Sequence, residues 1–128
     1  MFNLLNRIFA IYNLTFMAIN KKEAFTDTDQ QLADLCKAMA HPARIAILRV
    51  LAERSTCICG EIVEVMPLAQ ATVSQHLKEL LNAGLIKGTI DGKKSCYCIN
   101  WETFKNFNLA FNTLSGDMEQ LALNQNCC

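Results

Sequence analysis

The chain is 128 residues long and 52% hydrophobic, which allows one hydrophobic core and about one ordinary domain. Twelve Lys and Arg balance 12 Asp and Glu, so the formal net charge of zero gives no global support for nucleic-acid or membrane binding, and any such partner must be held by a local patch. Seven cysteines, an odd number in a chain without a convincing export signal, argue against a disulfide scaffold and for reduced thiols in the cytoplasm.

The first stretch, MFNLLNRIFAIYNLTF, is apolar with one early arginine, as a signal peptide would be. Asn6 and Asn13 interrupt it, no small-x-small cleavage site follows, and it is too short to span a bilayer. Leu5, Phe9, Tyr12 and Phe16 recur at helical spacing, which predicts an amphipathic helix within an N-terminal extension over residues 1–27. Initiation at Met17 would remove that helix. No membrane partner is expected.

The main domain is predicted over residues 28–122. QQLADLCKAMA carries Leu32, Leu35, Cys36 and Met39 on one face of a helix that Asp29 or Thr28 could cap, so Cys36 reads as core. Pro42 suits the first turn of a second helix, HPARIAILRVLAERS, whose buried stripe is Ile45, Ile47, Leu48 and Leu51, with His41 at the corner between the two. CICGEIVEVMP then reads as a two-turn helix with Ile58, Ile62 and Val65 inward and Pro67 stopping it. LAQATVSQHLKELLNAG follows at once, with Val73, Leu77, Leu80 and Leu81 apolar and Gly84 as its C-terminal cap, completing a helix-turn-helix.

The period then changes to two in LIKGTIDGKKSCYCIN, with Asp91-Gly92 as the turn of a hairpin, so the motif acquires a wing. Finally Phe104, Phe107, Phe111, Leu114 and Leu121 form an apolar stripe on a terminal helix, most simply covered by a second copy of the chain. Residues 123–128 are a polar tail ending in Cys127 and Cys128. The predicted fold is mainly α with a small β-hairpin: a homodimeric winged helix-turn-helix.

On the helix from Gln70 to Ala83, the side opposite the apolar stripe shows Ala71, Thr72, Gln75, Lys78 and Asn82, flanked by Ser74 and His76. Small and amide side chains near a helix N-terminus suit phosphates and base edges in a major groove. From Gln70 to Lys94, the lysines Lys78, Lys87, Lys93 and Lys94 outnumber Glu79 and Asp91, a local excess that a dimer would double. The candidate interface with double-stranded operator DNA is therefore Gln70, Thr72, Ser74, Gln75, His76, Lys78, Lys93 and Lys94.

The order of helix, HPARIAILRVL, CICGEIVEV, LAQATVSQHLKELLNAGLI, wing and terminal helix resembles the ArsR/SmtB family of winged-helix metal-responsive repressors over roughly residues 28–120. The resemblance implies a dimer that represses a promoter until a toxic ion binds. It also implies an ion site at Cys57-Ile58-Cys59, the position of the family's Cys-x-Cys, and not on the terminal helix, where residues 101–124 hold no histidine. Neither His41 nor His76 is expected to ligate an ion.

Thiolates are soft ligands, suited to As(III), Sb(III), Cd(II) or Pb(II), and no organic cofactor is called for. As(III) takes three sulfurs, but Ile62 stands where the family's arsenic pattern has its third cysteine. The wing pair, Cys96 and Cys98, and the tail pair, Cys127 and Cys128, are the two available sources. On a helix, positions 57 and 59 would point about 200° apart, so ion binding would have to distort the helix start and disturb the one that follows. The leading expectation is a repressor released by As(III) or Sb(III); the alternatives are a Cd/Pb-sensing member, or the same fold responding to thiol oxidation. An enzyme is not expected, for lack of a Cys-x-x-Cys, a phosphate loop or a thiol-histidine pattern.

Overall fold

The structure is a computed structural model. It describes residues 24–54, 57–60, 62–91 and 94–125, with the backbone alone at 59, 89–91 and 94. The helix expected before residue 23, Lys93 and the tail cysteines Cys127 and Cys128 lie outside the described residues. The chain divides into two compact units, Met1–Gln31 and Leu32–Cys128, and the core belongs to the second.

Helix α1 spans Asp27–Met39. Its cap is Thr26, not Asp29 or Thr28: the Thr26 hydroxyl accepts from the Asp29 amide at 3.2 Å, leaving Asp27 and Asp29 to face the positive end of the helix dipole. Helix α2, Pro42–Glu53, begins as the sequence suggests, with Pro42 in the first turn, and His41 caps it by accepting the Ala43 amide on Nδ1 at 3.1 Å. Ile47, Leu48 and Leu51 are buried, but Ile45, expected in the same stripe, is 43% exposed. Cys36 is likewise exposed and not core.

The segment after α2 departs from the helix expected there. Ile58–Cys59 is a short strand, β1, and only Ile62–Val65 is helical, as α3. Gly60, at φ +78°, ends β1 with a backbone turn that a helix could not contain. Ile58 and Ile62 are buried as expected, whereas Val65 is exposed and Met66 takes the inward place. Helix α4, Gln70–Asn82, buries Val73, Leu77 and Leu80.

Gly84 performs its predicted capping role. At φ +74° it lets the Gly84 amide donate to Leu81 O at 3.0 Å and the Leu85 amide to Leu80 O at 3.1 Å, which satisfies the last carbonyls of α4 and folds Leu85 onto Leu80, both fully buried.

The wing is β2, Ile86–Asp91, paired antiparallel with β3, Lys94–Ile99. Asp91 pairs with Lys94, so it belongs to the ladder and not to the turn. β1 adds to the other side of β3, giving the order β1-β3-β2 with Ile58 opposite Tyr97 and Cys59 opposite Cys96. Alternation along β3 turns Tyr97 and Ile99 into the core and leaves Cys96 and Cys98 half-buried on the other face.

Asn100 closes the base of the wing. Its amide nitrogen donates to Gly84 O at 3.0 Å, its backbone N–H donates to Leu85 O at 3.0 Å, and its side-chain oxygen caps the last helix, α5, Trp101–Leu123. No residue of α5 is buried: Trp101, Leu109, Phe111, Leu114, Met118, Leu121 and Leu123 are all exposed. Among the described residues no helix is long and apolar enough to cross a membrane.

Two glycines test the packing. A Cβ on Gly88 would lie 2.6 Å from the Tyr97 ring and 3.0 Å from Cys96 O, whereas one on Gly116 of α5 meets nothing. We expect Gly88→Ala to lower stability by about 1–3 kcal/mol through overpacking. Gly116→Ala should raise it by up to about 1 kcal/mol through helix propensity. Urea unfolding at matched protein concentration checks both, and an unperturbed Gly88→Ala would contradict the packing of Tyr97 on the hairpin.

Candidate DNA interface and thiol site

Gly84 and Asn100 fix the end of helix α4 to the base of the wing. On α4, Gln70, Ala71, Thr72, Ser74, Gln75, Lys78 and Asn82 are exposed. The helix starts at Ala69 with no side-chain cap, so its first-turn N–H groups remain open to an anion such as a phosphate. Gln75 reaches one turn forward along the helix to donate to Glu79 at 3.2 Å and would have to leave that carboxylate to touch a base. On the wing Lys87 is exposed; Lys94 lies in β3, and Lys93 lies outside the described residues.

His76 behaves differently from its neighbours. It is half-buried, with its ring 4.4 Å from that of His41. Its Nδ1 and the nearby Arg44 Nε are buried without a hydrogen-bond partner. Burial, then the charges of His41 and Arg44, hold the His76 pKa below its usual value, with Glu79 opposing. It therefore braces α4 against the start of α2 from the rear of the exposed face.

Strand pairing, and not a helix, sets the two Cys-x-Cys segments side by side. Cys57 and Cys59 flank Ile58 on an extended segment, where positions two apart share a face and no helix needs to be unwound. The Gly60 amide donates to Ser95 O at 3.3 Å, so Gly60–Ser95 and Ile58–Tyr97 are hydrogen-bonded pairs. Cys59–Cys96 is then a non-hydrogen-bonded pair, the kind with the closest side chains, and the next such position sets Cys57 against Cys98.

The side chains of that second pair do meet. A hydrogen bond to Cys57 is the main cause pushing the Cys98 thiol pKa up, followed by burial, while Lys87, opposite Cys98 on β2, pulls it down. Cys96 is disulfide-bonded. Among the described residues, no group of three or more His, Cys, Asp or Glu side chains is already assembled around an ion position. The cue that could have revealed the pairing is the repetition of Cys-x-Cys around Ile58 and Tyr97, two residues that favour strands.

Residues 41–87, from the α2 cap to the first wing strand, match the family described as "Bacterial regulatory protein, arsR family". An uncharacterized HTH-type transcriptional regulator of Methanocaldococcus jannaschii is 37% identical over 71 residues, 55% of this chain and 79% of that protein. The chain belongs to the ArsR family.

Three further likenesses bear on this ArsR chain. The arsenical resistance operon repressor of Bacillus subtilis is 39% identical over 67 residues, 52% of this chain and 63% of that one. The homodimeric winged helix-turn-helix DNA-binding domain Mb0332 of Mycobacterium bovis shares 26% identity at TM-score 0.53, covering 67% and 80% of the two chains. An ArsR-like regulator from Rhodococcus, at 16% identity and TM-score 0.65 over 77% of this chain and 92% of that one, shares the fold. ArsR proteins and these relatives are transcriptional regulators, not enzymes.

The depressed His76 pKa sets a pH dependence. Below its usual value near 6.5 the unfolded chain takes up a proton that the folded chain refuses. The stability from neutral His76 is thus full above that pH and lost on acidification. We expect the urea midpoint to fall between about pH 7.5 and 5.5, and to fall less in His76→Asn. An identical pH profile in the variant would contradict the buried placement.

Proposed function

We propose that this ArsR chain is a cytoplasmic, homodimeric repressor that leaves its operator when a thiophilic ion, As(III) or Sb(III), binds at Cys57 and Cys59. The observation that carries this reading is the joining of the Cys57-x-Cys59 segment to the wing: β1 is the outer strand of the wing's own sheet. Soft sulfur ligands are thereby tied to the element that flanks the exposed face of α4, and an ion that draws them together changes the spacing of β1 and β3, a change that the Gly84–Asn100 junction carries to that helix. The small and amide side chains of Gln70, Thr72, Ser74 and Gln75, with Lys78 and the wing lysines Lys93 and Lys94, suit phosphates and base edges.

The dimer rests on α5. Its bare apolar residues adjoin an open apolar cleft of about 520 Å³ lined by Met39, Ile45, Leu48, Ile99, Trp101 and Phe104, a surface too apolar to be left to solvent. The homodimeric domain of similar fold supports a second copy as its cover. Two copies present two recognition helices to two half-sites.

A second reading, in which oxidation and not an ion triggers release, is favoured by the disulfide at Cys96. One experiment separates the two and tests the DNA face. Binding to a duplex carrying the promoter of the chain's own gene is followed by fluorescence anisotropy in a phosphine-reduced buffer, with and without arsenite. We expect arsenite to release the wild type and to leave Cys57→Ser/Cys59→Ser bound. Arsenite release from that variant would overturn the sensor assignment, and failure to release the wild type while an oxidant does would favour the redox reading. Gln75→Ala/Lys78→Ala should bind at least about tenfold more weakly with the fold intact, and unchanged affinity would reject this face.

A further inference from the structure

Resting on the thiol-sensor reading, we propose that Cys57, Cys59, Cys96 and Cys98 form one cross-strand site, which takes a trivalent metalloid through three thiolates drawn from both β1 and the wing strand β3 of the same chain. The missing third sulfur is then a wing cysteine and not one from the tail.

Three observations lead to this. First, the register sets Cys59 opposite Cys96, and the Gly60–Ser95 hydrogen bond makes that rung, and the Cys57/Cys98 rung beyond it, the closely spaced kind, with Cα atoms about 4.5 Å apart. Second, the sulfurs of the wing strand are already engaged: the Cys57 and Cys98 thiols share a hydrogen bond, and Cys96, whose register partner is Cys59, is disulfide-bonded. Third, positions 57, 59, 96 and 98 share the face of the ladder opposite Ile58, Tyr97 and Ile99, which are in the core, and Cys57 is exposed, so an ion has access.

The ligand class follows from this shape. A trivalent arsenic or antimony centre carries a lone pair and binds three sulfurs as the apex of a pyramid. Neighbouring rungs on one sheet face offer a base for that pyramid, and any three of the four positions combine both strands. A divalent soft cation would instead seek four sulfurs in a tetrahedron, which four positions on one flat face supply less readily.

The chemistry balances without a change in arsenic oxidation state. Arsenous acid, As(OH)3, reacts with three thiols to form three As–S bonds; each thiol proton leaves with a hydroxide, giving three waters. Opening the Cys96 disulfide requires two electrons from a thiol or phosphine reductant and two protons, which the thiol brings itself or which water supplies as the phosphine becomes its oxide. The oxidised chain should therefore be closed to the metalloid, and the ion, once bound, staples β1 to β3.

The test uses the full chain, reduced with a phosphine, desalted under argon and titrated with arsenite. Binding is read from the near-ultraviolet sulfur-to-arsenic absorbance and from the thiols left to react with a disulfide reagent. We expect one arsenic per chain with three thiols lost, and little binding to the chain before reduction. Cys96→Ser/Cys98→Ser should bind arsenite at least about 100-fold more weakly, since loss of a direct ligand costs no less than loss of its supporting partners. Cys127→Ser/Cys128→Ser should bind as the wild type does.

Undiminished affinity in Cys96→Ser/Cys98→Ser, with loss in the tail variant, would overturn the cross-strand site while leaving the sensor reading intact. A wild type that takes up no arsenite overturns both, and uptake of Cd(II) by four thiols without arsenite uptake overturns the trivalent assignment. Should the double variant misfold by circular dichroism, the reduced-against-oxidised comparison on the wild type and the single serine variants decide the same point.

Discussion

The pairing of β1 with β3 is the constraint on which the rest of this structure depends. Without it the wing would be a two-stranded hairpin held only by its packing against α2 and α4. With it, β3 is paired on both sides, and its inner face contributes Tyr97 and Ile99 to a core that also contains Ile58, Ile62, Val73 and Leu80. The same pairing brings the residues alternating with those core positions, Cys57 and Cys59 against Cys96 and Cys98, onto one outward face. Core packing and thiol placement are thus two faces of one ladder, and neither could shift register without moving the other.

A second set of contacts carries position from that ladder to the helix that faces DNA in our proposal. The end of α4, the base of the wing and the start of α5 meet at Gly84, Leu85 and Asn100, where three polar contacts leave little freedom between elements. His76, half-buried against His41, braces the other side of α4. In this account an ion on the outward face of β1 and β3 does not need to unwind a helix. It changes the spacing of two strands, and the rigid junction passes that change to α4 and, through α5, to the neighbouring subunit.

Much of this was legible in the chain itself, and the part that was not has a physical explanation. Helical periodicity over Leu32–Leu51 and Val73–Leu81, the Gly84 cap and the switch to period two after Leu85 were enough to locate the helix-turn-helix and the wing. The polar face of α4 followed from the same periodicity, apart from the inward packing of His76, which depends on a tertiary contact with His41. The strand at Ile58–Cys59 is not legible locally, because periodicity cannot separate strand from helix in a run this short and the decisive partner, β3, lies almost 40 residues away. Ile45 and Cys36 were assigned to the core because their faces are apolar; they line the open cleft instead, and an apolar stripe does not say whether its cover is the same chain or another. Nothing local pointed to Asn100, whose role depends on Gly84 being brought beside it.

The central claim, that one ion joins β1 to the wing strand, is tested most directly by X-ray absorption at the arsenic edge on the reduced, arsenite-loaded chain. The account predicts a first coordination shell of sulfur alone, with three As–S contacts and no oxygen. That shell should persist in Cys127→Ser/Cys128→Ser and lose a sulfur in Cys96→Ser/Cys98→Ser. A wild-type shell of two sulfurs and an oxygen, unchanged by the wing substitutions, would contradict it.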